Sequence, residues 1–254
     1  MSKTNRHLVI PDGQCKQGVR TSHWAALGNY IAEWQPQVIV NIGDFFDLPS
    51  LCVYDKDLAD VTQRRLETDI RAGNFALQAL MRPWHNVIKG YRPRLIYTLG
   101  NHEDRFNRLL DEQPRLRGAI DEPWAWAKDQ GWRVYPFLQP VTVDGVAYCH
   151  LFAKSSNGRV TSQKWGAPNA RAQVLREMRS CTAGHKPGLD SHIQPVGRGA
   201  IRGIIAGSFY AHNEEFLTPQ DVHYWRGVLV KHDVRQGQYD LMEVSLKYLL
   251  RKWA

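Results

Sequence analysis

The apolar run Val38-Ile39-Val40 leads into Asn41-Ile42-Gly43-Asp44-Phe45-Phe46-Asp47, so a buried-type strand stops at a glycine followed by carboxylates. The same event occurs twice more in the first half of the chain. His7-Leu8-Val9-Ile10 ends at Pro11-Asp12-Gly13-Gln14, and Leu95-Ile96-Tyr97-Thr98-Leu99 ends at Gly100-Asn101-His102-Glu103-Asp104-Arg105. Between the first two runs, Trp24, Leu27, Tyr30, Ile31 and Trp34 recur at helical spacing after Thr21 or Ser22 as a cap, and Pro36 closes the helix. Strand, helix, strand makes a βαβ unit, and its right-handed crossover places Asp12 and Asp44 on one sheet edge. The carboxyl ends of strands in α/β sheets are where ligand-binding groups collect. This pattern predicts an α/β fold with a polar site on that edge.

The rest of the chain extends the pattern. Leu66, Ile70, Leu77 and Met81 predict a long amphipathic helix from about Asp60, with Arg64, Arg65 and Arg71 on its solvated face. Phe106, Leu109 and Leu110 restart helical spacing after Asn101, and Trp124-Ala125-Trp126 reads as core of a further helix in preference to a base-stacking platform. Val134-Tyr135, Val141 to Val143 and Val146 to His150 predict a meander or hairpin turning at Asp144-Gly145. Ser155 to Arg159 reads as a loop. Pro168 opens a helix to about Arg179 with Val174, Leu175 and Met178 inward. Cys181 to His185 is a short strand ending in histidine, and Ile201 to Ala206 is another, leading to Gly207-Ser208-Phe209-Tyr210-Ala211-His212. A hairpin through Gly237 and a basic, helical, surface-exposed tail at Lys247 to Lys252 complete the chain, from about 224 to 254.

No linker, repeat or low-complexity tract divides the 254 residues, so a single domain is expected. The N-terminus lacks the apolar segment of a signal peptide and no run is long enough to span a membrane, which points to a cytoplasmic protein. Cys15, Cys52, Cys149 and Cys181 form no CxxC pair, which disfavours a disulfide framework or a cysteine zinc site. The net charge of +8 favours phosphate-bearing partners, nucleic acid among them.

Asp12, Asp44, Asn101, His150 and His185 thus close five separate strands. Carboxylate, amide oxygen and imidazole together suit a hard or borderline divalent cation such as Mn²⁺, Fe²⁺, Zn²⁺ or Ni²⁺. Two such ions about 3.5–4 Å apart can share a bridging carboxylate and clamp a phosphate.

In order and spacing, Asp12-Gly13-Gln14, Gly43-Asp44-Phe45-Phe46-Asp47, Gly100-Asn101-His102-Glu103, the lone His150 and Gly184-His185-Lys186-Pro187 resemble the motifs of the calcineurin-like metallophosphoesterases. The compact bacteriophage and prophage members are the nearest in character. The resemblance implies a four-layer α/β/β/α sandwich of two mixed sheets and one or two divalent ions, manganese first, with iron, zinc, nickel or magnesium as alternatives. It implies that Asp44 bridges the ions and that Asn101, His150 and His185 complete one site. The other site would take Asp12, residue 14 and residue 187 with Asp44. Gln14 stands there in place of the usual histidine, and Pro187 has no donor. His212, His192 and His223 are candidate replacements, His212 being favoured because it too follows a strand end. His102 would protonate the leaving oxygen, oriented by Asp47 or Glu103, and Arg105 would contact the substrate phosphate or serve as an ion-pair partner. The implied activity is hydrolysis of a phosphate ester, a nucleotide or nucleic-acid phosphodiester above all, by activated water. The alternative is a protein of the same fold that has lost turnover and acts as a nucleic-acid-binding or assembly module.

Overall fold

The computed structural model describes residues 5–52, 64–156, 159–161, 167–197, 199–212 and 224–254. In chain order it runs β1 (His7–Ile10), α1 (Ser22–Trp34), β2 (Val38–Asn41), α2 (Leu66–Met81), β3 (Arg94–Thr98), α3 (Asp104–Glu112), α4 (Ala125–Asp129) and β4 (Arg133–Tyr135). The second half contributes β5 (Val141–Val143), β6 (Val146–Cys149), β7 (Lys154–Ser156), β8 (Arg159–Thr161), α5 (Ala170–Glu177), β9 (Cys181–Ala183), β10 (Leu189–Val196), β11 (Gly199–Ala206), β12 (Gly227–Arg235), β13 (Gln238–Ser245) and α6 (Leu246–Trp253).

Two mixed sheets carry the architecture. The first has the order β13-β12-β1-β2-β3-β4 and the second β10-β11-β9-β6-β5. Alternation along β1 and β2 explains how they pack. Val9, Val38 and Val40 face Val143, Val146, Tyr148 and Ile204 of the second sheet in one buried cluster, while Leu8, Ile10 and Ile39 turn the other way onto Trp24, Leu27 and Leu77 of α1 and α2. The second sheet's outer face, Ala147, Cys149, Cys181 and Ala183, packs on Val174 of α5. Apolar residues on both faces of the short central strands give the continuous hydrophobic runs seen in sequence.

Register places the strand ends. β1, β2 and β3 are parallel, with Val9 opposite Val40 and Val40 opposite Ile96. In the second sheet β6 and β9 are parallel, with Cys149 opposite Ala183. Asp12, Asp44 and Asn101 therefore leave one sheet at a common edge, and His150 and His185 leave the other at a common edge. The expected βαβ unit and terminal hairpin are present.

Other expectations are corrected. Val134 and Tyr135 join β3 in the first sheet, and the hairpin is β5 with β6 alone. The pairing is parallel, which a local pattern cannot distinguish from a meander. Leu175 and Met178 point to solvent at 39% and 68% exposure, since α5 ends at Glu177 and Met178 takes a left-handed φ of 51°. The stretch read as a loop at Ser155 to Arg159 contributes β7 and β8, and β10, unforeseen, pairs along all of β11. The C-terminal tail is helical, but Leu249 and Trp253 are buried against α1, so only its basic face is exposed. The predicted start of α2 near Asp60, and His223, fall outside the described residues.

Candidate metal centre

The turn after β2 is built from short-range chemistry. Asn41 Oδ1 accepts from the Gly43 N–H at 3.1 Å, and Gly43 takes a φ of 96°. Gly100 lies against this turn, where a Cβ would sit 2.1 Å from Asp44 Oδ1. Only glycine lets the two loops approach so closely. Glu103, fully buried, then ties them: its carboxylate accepts from the N–H groups of Asp44, Phe45, Phe46 and Gly100 at 2.7–2.9 Å and from the Tyr97 hydroxyl at 2.7 Å. Glu103 therefore clamps the loop bearing Asp44 and does not touch His102, correcting its expected role as an orienting group.

Four of the sequence-predicted ligands converge. Asn101 Oδ1 lies 2.9 Å from His150 Nε2 and 2.7 Å from His185 Nδ1, and Asp44 Oδ2 lies 3.3 Å from His150 Nε2. Asp44, His150 and His185 present donor atoms all within 4.8 Å of one another. His150 Nδ1–H donates to the Ile42 carbonyl at 2.9 Å, since that oxygen can only accept. In the neutral ring Nε2 then offers a lone pair toward two oxygens that also only accept. Such a set needs a cation among its members, a proton or a metal ion. In octahedral coordination donors about 2.1 Å from a common ion stand about 3.0 Å from each other, so the observed 2.7–3.3 Å separations are compatible with one divalent ion.

Electrostatics point the same way. Burial lowers the His150 pKa, but Asp44 and Asp12 outweigh it and raise it to about 9. Burial works to raise Asp44, yet His102 and His150 hold its carboxyl well below the usual range. Asp12 is pushed up to about 7 by burial, with His150 opposing and Asp44 adding. A proton and a divalent ion compete for the same lone pairs here.

Asp12 and Gln14 flank this cluster. Asp12 Oδ1 accepts from the His185 N–H at 3.1 Å, and the Gln14 N–H donates to the Asp44 carbonyl at 2.8 Å. Gln14 Oε1 is buried with no hydrogen-bond partner among the described residues, which leaves its lone pairs open to a ligand. Asp44, Gln14 and His185 all hold left-handed φ angles, 48°, 42° and 70°. Each costs on the order of 1 kcal/mol for a non-glycine residue, and such strain gathers at functional sites.

His102 stands at the edge of the cluster. Its N–H donates to Asp44 Oδ1 at 2.9 Å and its Nδ1–H to Asp47 Oδ1 at 2.7 Å, leaving Nε2 3.7 Å from Asp44 Oδ2. Burial lowers its pKa, but Asp44 and the Asp47 hydrogen bond outweigh burial and raise it. Asp47, itself lowered to about 2 against burial by His102, is also held by Lys16 Nζ at 3.2 Å. Arg105 donates to the Asp47 carbonyl at 2.8 Å and, in the neutral ring, to His102 Nε2 at 3.3 Å. That makes Arg105 a prop of the Asp47 loop.

No protein-family model matches the chain, and no curated protein does. Among the described residues the one group of three or more His, Cys, Asp or Glu donors all within 4.8 Å of one another is that of Asp44, His150 and His185, and His212, the favoured replacement ligand, packs its ring 5.2 Å from that of Tyr210. His192 lies mid-strand on the sheet-edge β10, opposite Gly203. Sequence reading missed Asn41, which the Asn-x-Gly spacing of an Asx turn reveals, and Lys16, whose contact with Asp47 is purely tertiary.

Proposed function

We propose that the protein is a divalent-metal-dependent phosphoesterase with a metallophosphoesterase-like sandwich fold. The observation that carries this reading is the convergence of Asp44 Oδ2, Asn101 Oδ1, His150 Nε2 and His185 Nδ1, in which His150 Nε2, with Nδ1–H committed to Ile42, meets two oxygens that can only accept. Two carboxylate or amide oxygens and two imidazoles suit Mn²⁺, with Fe²⁺, Zn²⁺, Ni²⁺ or Mg²⁺ as alternatives. When bound, such an ion acidifies water toward neutrality and offsets charge on a phosphoryl group.

The chain's own residues supply the rest. Asp44, Asn101, His150 and His185 would hold one ion, and Asp12 and Gln14 would hold a second more weakly beside Asp44. His102, fixed through Nδ1 by Asp47, presents Nε2 to a departing alkoxide as general acid. Glu103 and Gly100 hold Asp44 in a conformation it would not adopt alone. The substrate class is a phosphate ester, a nucleotide or nucleic-acid phosphodiester foremost.

The test is Mn²⁺-dependent hydrolysis of bis-p-nitrophenyl phosphate and of a monoester, beside Asp44→Asn and His102→Ala. Loss of turnover in both variants is expected, and equal activity of wild type and Asp44→Asn would sink the proposal. Because Pro187 supplies no donor to the poorer site, a fold-only binding module is the second reading. It would appear as metal-independent oligonucleotide binding with no turnover of any ester.

A further inference from the structure

Arg71, Phe75, Gln78 and Arg82 recur at steps of four, three and four residues and so form one stripe along α2 and its C-cap. Phe75 stands on this stripe 63% exposed, an unusual position for a large aromatic side chain. It forms a ridge between two depressions. One, of about 600 Å³, runs between α2 and the 16–21 loop and is lined by Lys16, Thr21, Thr68, Arg71 and Asn74 as well as Phe75. The other, of about 370 Å³, is more apolar and is lined by Phe75, Gln78, Arg82, His85 and Trp126. No described carboxylate lines either one. Asn74 Oδ1, in the first, is buried without a hydrogen-bond partner among the described residues.

We infer that this path is a groove for single-stranded nucleic acid, carrying the strand past the candidate metal centre. The inference rests on the phosphoesterase reading for what happens at the centre, and on the groove alone for binding. Three features select this occupant. The lining is cationic, as a phosphodiester backbone requires. Exposed Phe75 and the partly exposed Trp126 offer flat faces for bases, an arrangement that accepts any base and needs the bases unpaired. Lys16 connects groove and site, because it lines the first depression while its Nζ is 3.2 Å from Asp47 Oδ2, and Asp47 in turn holds His102. A strand seated on Arg71 and Lys16 therefore runs toward the general acid. Asn74 and Gln78 supply amide groups for base edges or sugar hydroxyls.

The experiment is fluorescence anisotropy of the full-length protein with a labelled 15-mer oligo-dT and a 15-bp duplex, in EDTA so that no cleavage intervenes. Wild type is expected to bind the single strand more tightly than the duplex, with affinity falling as salt rises. Phe75→Ala should weaken single-strand binding roughly 5- to 150-fold. Arg71→Glu should weaken it and flatten the salt dependence, while the charge-matched Lys247→Glu on α6 should match wild type. Absence of oligo-dT binding, tighter binding of the duplex, or wild-type affinity in Phe75→Ala and Arg71→Glu would overturn the groove. Hydrolysis of bis-p-nitrophenyl phosphate by the wild type, measured separately with Mn²⁺, distinguishes the two ideas. Turnover without strand binding rejects the groove and leaves the phosphoesterase. Strand binding without turnover leaves the groove and rejects the phosphoesterase.

Discussion

Asp47 Oδ1 meets His102 Nδ1 at 2.7 Å, and the same Asp47 is gripped from outside by Lys16 and Arg105. One carboxylate thus decides which nitrogen of His102 faces the candidate metal centre. Asp47→Asn keeps the shape but removes the charge, so kcat should fall roughly 10- to 100-fold. His102→Ala should cost more, on the order of 10²–10⁴-fold. Asp47 raises the His102 pKa, so in Asp47→Asn the alkaline limb of the pH–rate profile should move to lower pH. A fall in kcat with the limb unmoved would mean that Asp47 only supports the loop.

Glu103 accepts five hydrogen bonds in full burial. In Glu103→Gln the amide turns N–H groups toward donors, and the variant should lose about 3 kcal/mol of stability, a Tm fall on the order of 10 °C. Thermal unfolding monitored by circular dichroism checks this. A Tm equal to wild type would remove Glu103 from its place as the clamp of the two loops.

On the proposed reading the two halves of the metal centre are unequal: Asn101, His150 and His185 would serve one side of Asp44, whereas Asp12 and Gln14 would serve the other, with Pro187 offering no donor. Isothermal titration with Mn²⁺ should show one ion held at least about tenfold more tightly than a second. His185→Ala should remove the tight event, and Gln14→His should narrow the gap. Two equal events in the wild type would require another ligand.

His23 is buried between Trp24 and Phe209, with ring centroids at 5.0 and 5.3 Å. Burial lowers its pKa to about 4, from about 6.5 when unfolded. Between those values the unfolded chain binds a proton that the folded chain refuses, so stability falls as pH drops from 6.5 toward 4, by at most about 3 kcal/mol. His7, also lowered to about 4 by burial, acts in the same direction. Urea unfolding at pH 7 and pH 4.5 should show a shallower loss in His23→Phe. An unchanged pH slope would show that His23 is not the titrating group.

The sequence by itself determined the strand ends. A buried strand reads as an uninterrupted apolar run, and the glycine and acidic residues that stop it are local in the chain, so Asp12, Asp44, Asn101, His150 and His185 were legible one at a time. The βαβ rule went one step further and made Asp12 and Asp44 neighbours. What tertiary structure alone decided was every relationship across the two sheets. Val134 was free in sequence to pair with either sheet, because parallel partners are distant in the chain and leave no local mark. His150 reaches Asn101 because the inter-sheet core sets its strand beside β2. Lys16 and Phe75 carried no signal at all, and Glu103 was legible as a motif residue but not as a clamp: whether a charged or aromatic residue is a clamp, a tether or an exposed ridge depends on what lies opposite, and that is fixed only when the chain has packed.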